Sequence, residues 1–153
     1  MKVLIVYYSR TGNTEIMAKA VAEGAKSEGV DAELKRVDFA TVYDVVCADG
    51  FAFGSPCYYG YMSGALKEFF DCMLIKDVLK QIRMRPAAAF VSNGEGNGAK
   101  EALYSIQKIL YNYFTLFPVG KGVMCKGKPE EDKIQECRRL GSDLANAVKR
   151  KNT

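Results

Sequence analysis

The apolar run Val3-Leu4-Ile5-Val6-Tyr7-Tyr8 gives way after six residues to a helical pattern, and the residues between, Ser9-Arg10-Thr11-Gly12-Asn13-Thr14, are rich in hydroxyls and carry a glycine. A buried strand that turns directly into a helix leaves the first helical N–H groups without partners, and the helix dipole adds a partial positive charge there. Such a turn can cradle a phosphate, with Ser9, Thr11 and Thr14 as extra hydroxyl donors. The same residues also serve as caps in an ordinary strand-to-helix turn, so the rest of the chain has to decide between the two.

That rest alternates strand and helix. Met17, Ala18, Val21, Ala22 and Ala25 recur at helical spacing until Gly29, and Ala32–Val37 alternates imperfectly with charge, as an edge strand does. A short helix is expected around Thr41–Val46, then a buried strand over Gly50–Gly54. Leu66, Phe69, Phe70, Met73 and Leu74 form an amphipathic stripe behind Ser63 as N-cap. Pro86 opens the buried strand Ala87–Val91, and Ala99 to Tyr113 repeats at three and four residues as one long helix. Thr115–Cys125 is strand-like but broken by Pro118, Gly120 and Gly122 into two short pieces. Pro129 starts a last helix with Glu130, Glu131 and Asp132 at its head and Lys149, Arg150 and Lys151 at its tail. This alternation predicts a parallel sheet covered by helices on both faces, with ligands outside the carboxyl ends of the strands.

Composition narrows the chemistry. With no histidine among 153 residues, a three-His zinc site, a Ser-His-Asp triad and a Cys-His pair are all excluded. Five cysteines without a CxxC pair fit reduced thiols; Cys72 and Cys137 read as small core residues, while Cys57 lies in a loop. A net charge of +4 is too mild to argue for nucleic acid. No apolar run approaches the ~20 residues of a membrane span, and Met1-Lys2-Val3 enters a strand at once, so a cytoplasmic protein of one domain, residues 1–153, is expected.

Two further loops follow strand ends. Ser55-Pro56-Cys57-Tyr58-Tyr59-Gly60-Tyr61-Met62 is crowded with tyrosine, a platform for a flat ring or simply half-buried packing. Ser92-Asn93-Gly94-Glu95-Gly96-Asn97-Gly98 has three glycines that let its backbone approach a ligand.

At these residues the chain resembles the flavodoxin-like flavoproteins over nearly its whole length: Ser9-x-Thr11-Gly12-Asn13-Thr14 after a first strand, then Gly54-Ser55-Pro56 with aromatics and Gly64-x-Leu66-Lys67. The resemblance implies a three-layer α/β/α fold with a doubly wound, five-stranded parallel sheet in the order 2-1-3-4-5, and flavin mononucleotide (FMN) as cofactor at the switch point. It implies that Ser9, Arg10, Thr11, Gly12, Asn13 and Thr14 hold the FMN phosphate. Ser55, Pro56, Cys57, Tyr58, Tyr59 and Gly60 would line one side of the flavin ring, and Ser92, Asn93, Gly94, Glu95 and Gly96 the other. Tyr58 or Tyr59 is the expected stacking residue, and Gly60 would allow a redox-linked peptide flip beside flavin N5.

The absence of Trp, a sequence pI of about 8.7 and a glycine-rich third loop depart from typical electron carriers and are similar to relatives of the NAD(P)H:quinone reductases. Two functions follow: a carrier that exchanges electrons with a partner protein, or an oxidoreductase reduced by NAD(P)H. Lys76, Lys80, Arg83, Arg85 and Lys149–Lys151 are expected at the edge opposite the flavin, leaving Arg10, Glu15, Glu95, Lys100, Glu101, Lys126 and Lys128 near it. With so few acids around it, a reduced anionic flavin would meet little charge repulsion. Rival readings lack their residues. Gly94-x-Gly96-x-x-Ala99 has no acidic residue about 20 positions on, as a dinucleotide fingerprint requires. A response regulator needs acids where Tyr8-Ser9-Arg10 stands, a Cys-based phosphatase needs Arg at Ser63, and no Gly-Lys-Ser or Gly-Lys-Thr forms a P-loop.

Overall fold

The computed structural model describes all residues, 1–153. The chain runs β1 (Lys2–Tyr7), α1 (Asn13–Ser27), β2 (Asp31–Arg36), α2 (Val42–Cys47), β3 (Gly50–Pro56), α3 (Gly64–Cys72), α4 (Lys76–Ile82) and β4 (Pro86–Asn93). It continues through α5 (Ala99–Gln107), a π-helical stretch (Lys108–Tyr113), β5 (Phe117–Pro118), β6 (Val123–Lys126) and α6 (Glu131–Lys151). The strands are parallel and ordered β2-β1-β3-β4-β5, with β6 also pairing β4. The sheet thus has five positions in the order 2-1-3-4-5, and two short pieces on either side of the Gly120–Gly122 break fill the fifth.

Alternate residues of β1 feed opposite cores. Val3, Ile5 and Tyr7 pack with α1 and α6, while Leu4 and Val6 pack with Phe51, Phe53, Phe70 and Ile106 on the other face. This two-sided burial is why the strand reads as an unbroken apolar run. Helices α1 and α6 lie close enough that a Cβ on Gly24 or Gly141 would overlap the backbone of the other helix. No helix is long and apolar enough to cross a membrane.

The last helix starts at Glu131, with Glu130 as its N-cap, so Pro129 precedes it rather than opening it. Three further local expectations change. The long helix over 99–113 remains α only to Gln107, and the wider π turns that follow, with Phe114 N–H donating to the Ile109 carbonyl, swing Tyr113 into solvent and put Phe114 into the core. Leu74 and Cys72 are exposed rather than buried, because α3 ends at Cys72: Leu74 lies beyond the helical spacing, and Cys72 falls beside the Leu66-Phe69-Phe70-Met73 face. Helix α4 occupies a stretch in which the sequence pattern marked no element. The short helix α2 and the Ser63 cap of α3, which accepts from the Leu66 N–H, form as expected.

Candidate functional site

The loops after β1, β3 and β4 meet around a cleft of about 460 Å³, lined by Arg10, Thr11, Asn13, Thr14, Pro56, Cys57, Tyr58, Ser92, Asn93 and Gly94. Ser92 joins all three. Its hydroxyl shares a 2.6 Å hydrogen bond with the Thr14 hydroxyl, and its carbonyl accepts the Cys57 N–H at 2.8 Å. Both Thr14 and Ser92 are buried, so this bond fixes the start of α1 against the end of β4.

The first loop turns through Gly12, whose φ of 98° is readily accessible to glycine but strained for other residues. Ser9 is buried beneath the loop and its hydroxyl accepts the Gly12 N–H at 3.1 Å. The backbone N–H groups of Arg10, Thr11, Asn13, Thr14 and Glu15 have no protein partner, and α1 has no side-chain N-cap. Five unsatisfied donors at a helix start, beside an exposed Arg10, form a site for an anion. Glu15, the one acid of this turn, is engaged by the Tyr7 hydroxyl at 2.8 Å; burial first, and then Glu15, push the Tyr7 phenol up to about 12.

In the second loop, Tyr58 and Tyr61 exchange backbone hydrogen bonds of 2.9 and 3.0 Å around Tyr59 and Gly60. With φ of 54° and 71° at these two residues, this is a tight hairpin turn. Tyr59 stands fully exposed at its tip and does not line the cleft, whereas the half-buried Tyr58 does. Ser55 is fully buried. Its hydroxyl donates to the Pro56 carbonyl and accepts the Ser63 N–H, both at 2.8 Å, so it shapes the loop from below.

The third loop is closed by the Asn93 amide, which donates to the Gly96 carbonyl at 2.6 Å. Gly94, Glu95 and Gly96 are exposed at the rim, of which only Gly94 reaches the cleft lining. Gly98, at φ 113°, caps α5 against the hairpin: a Cβ there would lie 3.0 Å from the Gly60 Cα and 3.5 Å from the Cys57 Sγ.

Two residues outside the sequence-derived set also belong here. Arg36, at the end of β2, donates to the Ser9 carbonyl at 2.6 Å and to Asp38 at 2.7 Å, and its guanidinium lies 5.2 Å from the centre of the Tyr8 ring. Tyr8 meets Tyr58 edge-on at 6.4 Å. The signal for both is the 2-1-3 strand order, which pairs Arg36 with Tyr7 and so brings it beside the first loop. The Tyr58 hydroxyl is shut off from solvent beside the Tyr8 and Arg10 side chains and has no well-formed hydrogen bond; burial raises its pKa most, Tyr8 adds to this, and Arg10 opposes it.

Open donors, an adjacent cation and an orphaned phenol suit a phosphorylated, ring-bearing ligand, and FMN is consistent with that donor set. A family model described as NADPH-dependent FMN reductase matches residues 40–130. A flavodoxin from Aquifex aeolicus is 45% identical over 96% of this chain and 86% of its own length. An NAD(P)H dehydrogenase (quinone) from Archaeoglobus fulgidus is 27% identical over 97% of this chain and 98% of its own. The structure of a flavodoxin from the domain Archaea superposes with a TM-score of 0.85 at 29% identity, covering 97% of this chain and 99% of that one. With 45% identity sustained along nearly its full length and more than half of it matched by the reductase model, the chain belongs to the flavodoxin-like FMN-binding redox proteins.

Proposed function

We propose that residues 1–153 act as one FMN-binding electron carrier, with the phosphate held by residues 9–14 and the flavin ring lying between the 55–60 hairpin and the 92–96 loop. The observation that carries this reading is the set of unpaired N–H groups at Arg10, Thr11 and Asn13–Glu15. Bound FMN supplies the redox chemistry, taking up and releasing electrons. The protein's part is to bind and orient. Gly12 turns the loop so that its N–H groups and those of the first helical turn converge, and Arg10 adds charge beside them. The Thr14–Ser92 bond keeps the phosphate end in register with the ring end. Tyr58 walls the cleft, and Gly60, in a left-handed conformation, leaves the hairpin peptide free to turn toward or away from a ring atom.

The reading of this protein as an oxidoreductase that takes electrons directly from NAD(P)H has its own support. The matching family model is described as NADPH-dependent, and the exposed rim at Gly94–Gly96 leaves that side of the cleft accessible. The exposed charges of this region are of both signs, with Arg10, Lys100 and Lys126 against Glu95 and Glu101, which gives no single-sign docking face for a partner protein. Anaerobic addition of NADPH to the FMN-loaded protein separates the two. Absorbance near ~450 nm that persists until a reductase is added supports the carrier, and bleaching by NADPH alone supports the oxidoreductase. The five free thiols and the absence of a membrane-crossing helix fit a reducing, cytoplasmic setting.

A further inference from the structure

Arg36 comes from the edge strand and is not among the residues that line the cleft, yet it touches the parts that shape its phosphate end. Its Nη1 donates to the Ser9 carbonyl at 2.6 Å. In a trans peptide the carbonyl and the following N–H point in opposite directions, so a cation on the Ser9 oxygen polarises the Arg10 N–H on the other side of that plane. Asp38 holds the guanidinium from the solvent side at 2.7 Å. The Tyr8 ring lies 5.2 Å from the guanidinium and meets Tyr58 edge-on, and the Tyr58 hydroxyl at the end of this row is buried without a partner. A buried hydroxyl left unpaired is destabilising, and a ligand oxygen that accepts from it would relieve that cost.

We propose that Arg36 is a positioning residue for the nucleotide phosphate: it polarises the first loop through the Ser9 carbonyl and, through Tyr8, holds Tyr58 so that its hydroxyl donates to the phosphate once the bound nucleotide draws the neighbouring Arg10 side chain off it. The row Arg36–Tyr8–Tyr58 thereby sets the preference for a phosphorylated flavin over riboflavin. This rests on the placement of FMN given above.

The test is the dissociation constant of FMN and of riboflavin, each measured by flavin-fluorescence quenching, together with the melting temperature of the flavin-free protein. Tyr58→Phe is expected to weaken FMN about tenfold and riboflavin less than about twofold, without lowering the flavin-free melting temperature. Arg36→Met is expected to show the same selective loss, and Arg36→Lys, which keeps the charge without the planar fork, to fall between it and the wild type. Equal losses for both flavins would mean that the row only stiffens the protein, and unchanged FMN affinity in Tyr58→Phe would remove the hydroxyl from the phosphate; either overturns the proposal. Thr14→Ala separates the two levels: if it weakens FMN while the Arg36 and Tyr58 variants do not, the site stands and this inference falls. A wild-type protein that binds no FMN removes the site itself, and the inference with it.

Discussion

The two edges of the sheet handle their backbone polar groups in opposite ways. At the amino edge the protein satisfies them itself. Arg85 donates to the carbonyls of Val45, Val46 and Ala48 at the end of α2, Asp49 accepts the Lys2 N–H, and the Met84 N–H reaches the Thr115 carbonyl. At the carboxyl edge five N–H groups and one phenol are left over, although Thr14, Ser92 and Asn93 beside them are firmly bonded. The open donors therefore sit in a rigid frame, and the difference between the edges is that these amino-edge groups are bonded within the protein while donors at the carboxyl edge stay open.

The variant with the largest expected effect attacks the amino edge. Arg85→Met leaves the Val46 and Ala48 carbonyls without their donor and is expected to cost about 3 kcal/mol in urea unfolding, with FMN affinity within twofold of wild type. A matching loss of FMN binding would erase the distinction between the edges. Ser92→Ala attacks the frame at the open edge. It orphans the buried Thr14 hydroxyl and is expected to cost about 1–2 kcal/mol and to weaken FMN about tenfold, seen by combining the same unfolding curve with a fluorescence titration. Tyr59→Asn should move the other way: an exposed side chain in a left-handed conformation is replaced by one that tolerates it, so thermal unfolding should show a gain of about 0.5 kcal/mol.

At neutral pH the buried phenols and thiol contribute no pH dependence; it develops only in alkali. Burial raises Tyr7, Tyr111 and Cys137 to about 12 each, so their neutral forms stabilise the fold below the ordinary values near 9 and 10, and that contribution is lost as pH rises toward 12. Tyr7 lies at the open edge, and Tyr111, whose hydroxyl donates to the Ala87 carbonyl, lies at the start of β4. Tyr7→Phe and Tyr111→Phe should each flatten the fall in stability between pH 10 and 12. An unchanged slope in both would mean that these phenols ionise as they do in the unfolded chain.

What the sequence makes legible is what depends on neighbours along the chain. The strand-to-helix turn at 9–14, the Ser63 cap and the strand-end loops follow from apolar periodicity and turn chemistry, and Arg10, Thr11, Asn13, Thr14, Pro56, Cys57, Tyr58, Ser92, Asn93 and Gly94 do meet in one cleft. Contacts across strands are less visible. Arg36 reads as an edge-strand charge until β2 is laid beside β1, and the roles of Tyr58 and Tyr59 separate only when the hairpin turns one ring inward and the other out. Ser55 looks like a ligand hydroxyl, but the Ser63 N–H engages it from beneath. The π turns escape because Ile106, Leu110 and Phe114 fit a four-residue spacing as well as Tyr113 fits a three-residue one, and packing selects Phe114.

The most direct test of the FMN site is a map of backbone amide chemical shifts as FMN is added to the flavin-free protein. The largest shifts are expected at residues 9–15, 57–60 and 92–98, with the Arg10, Thr11, Asn13, Thr14 and Glu15 amides moving as their free N–H groups gain an acceptor, and little change at Arg85 or along α4. Large shifts at the amino edge, or none at residues 10–15, would contradict this placement of FMN.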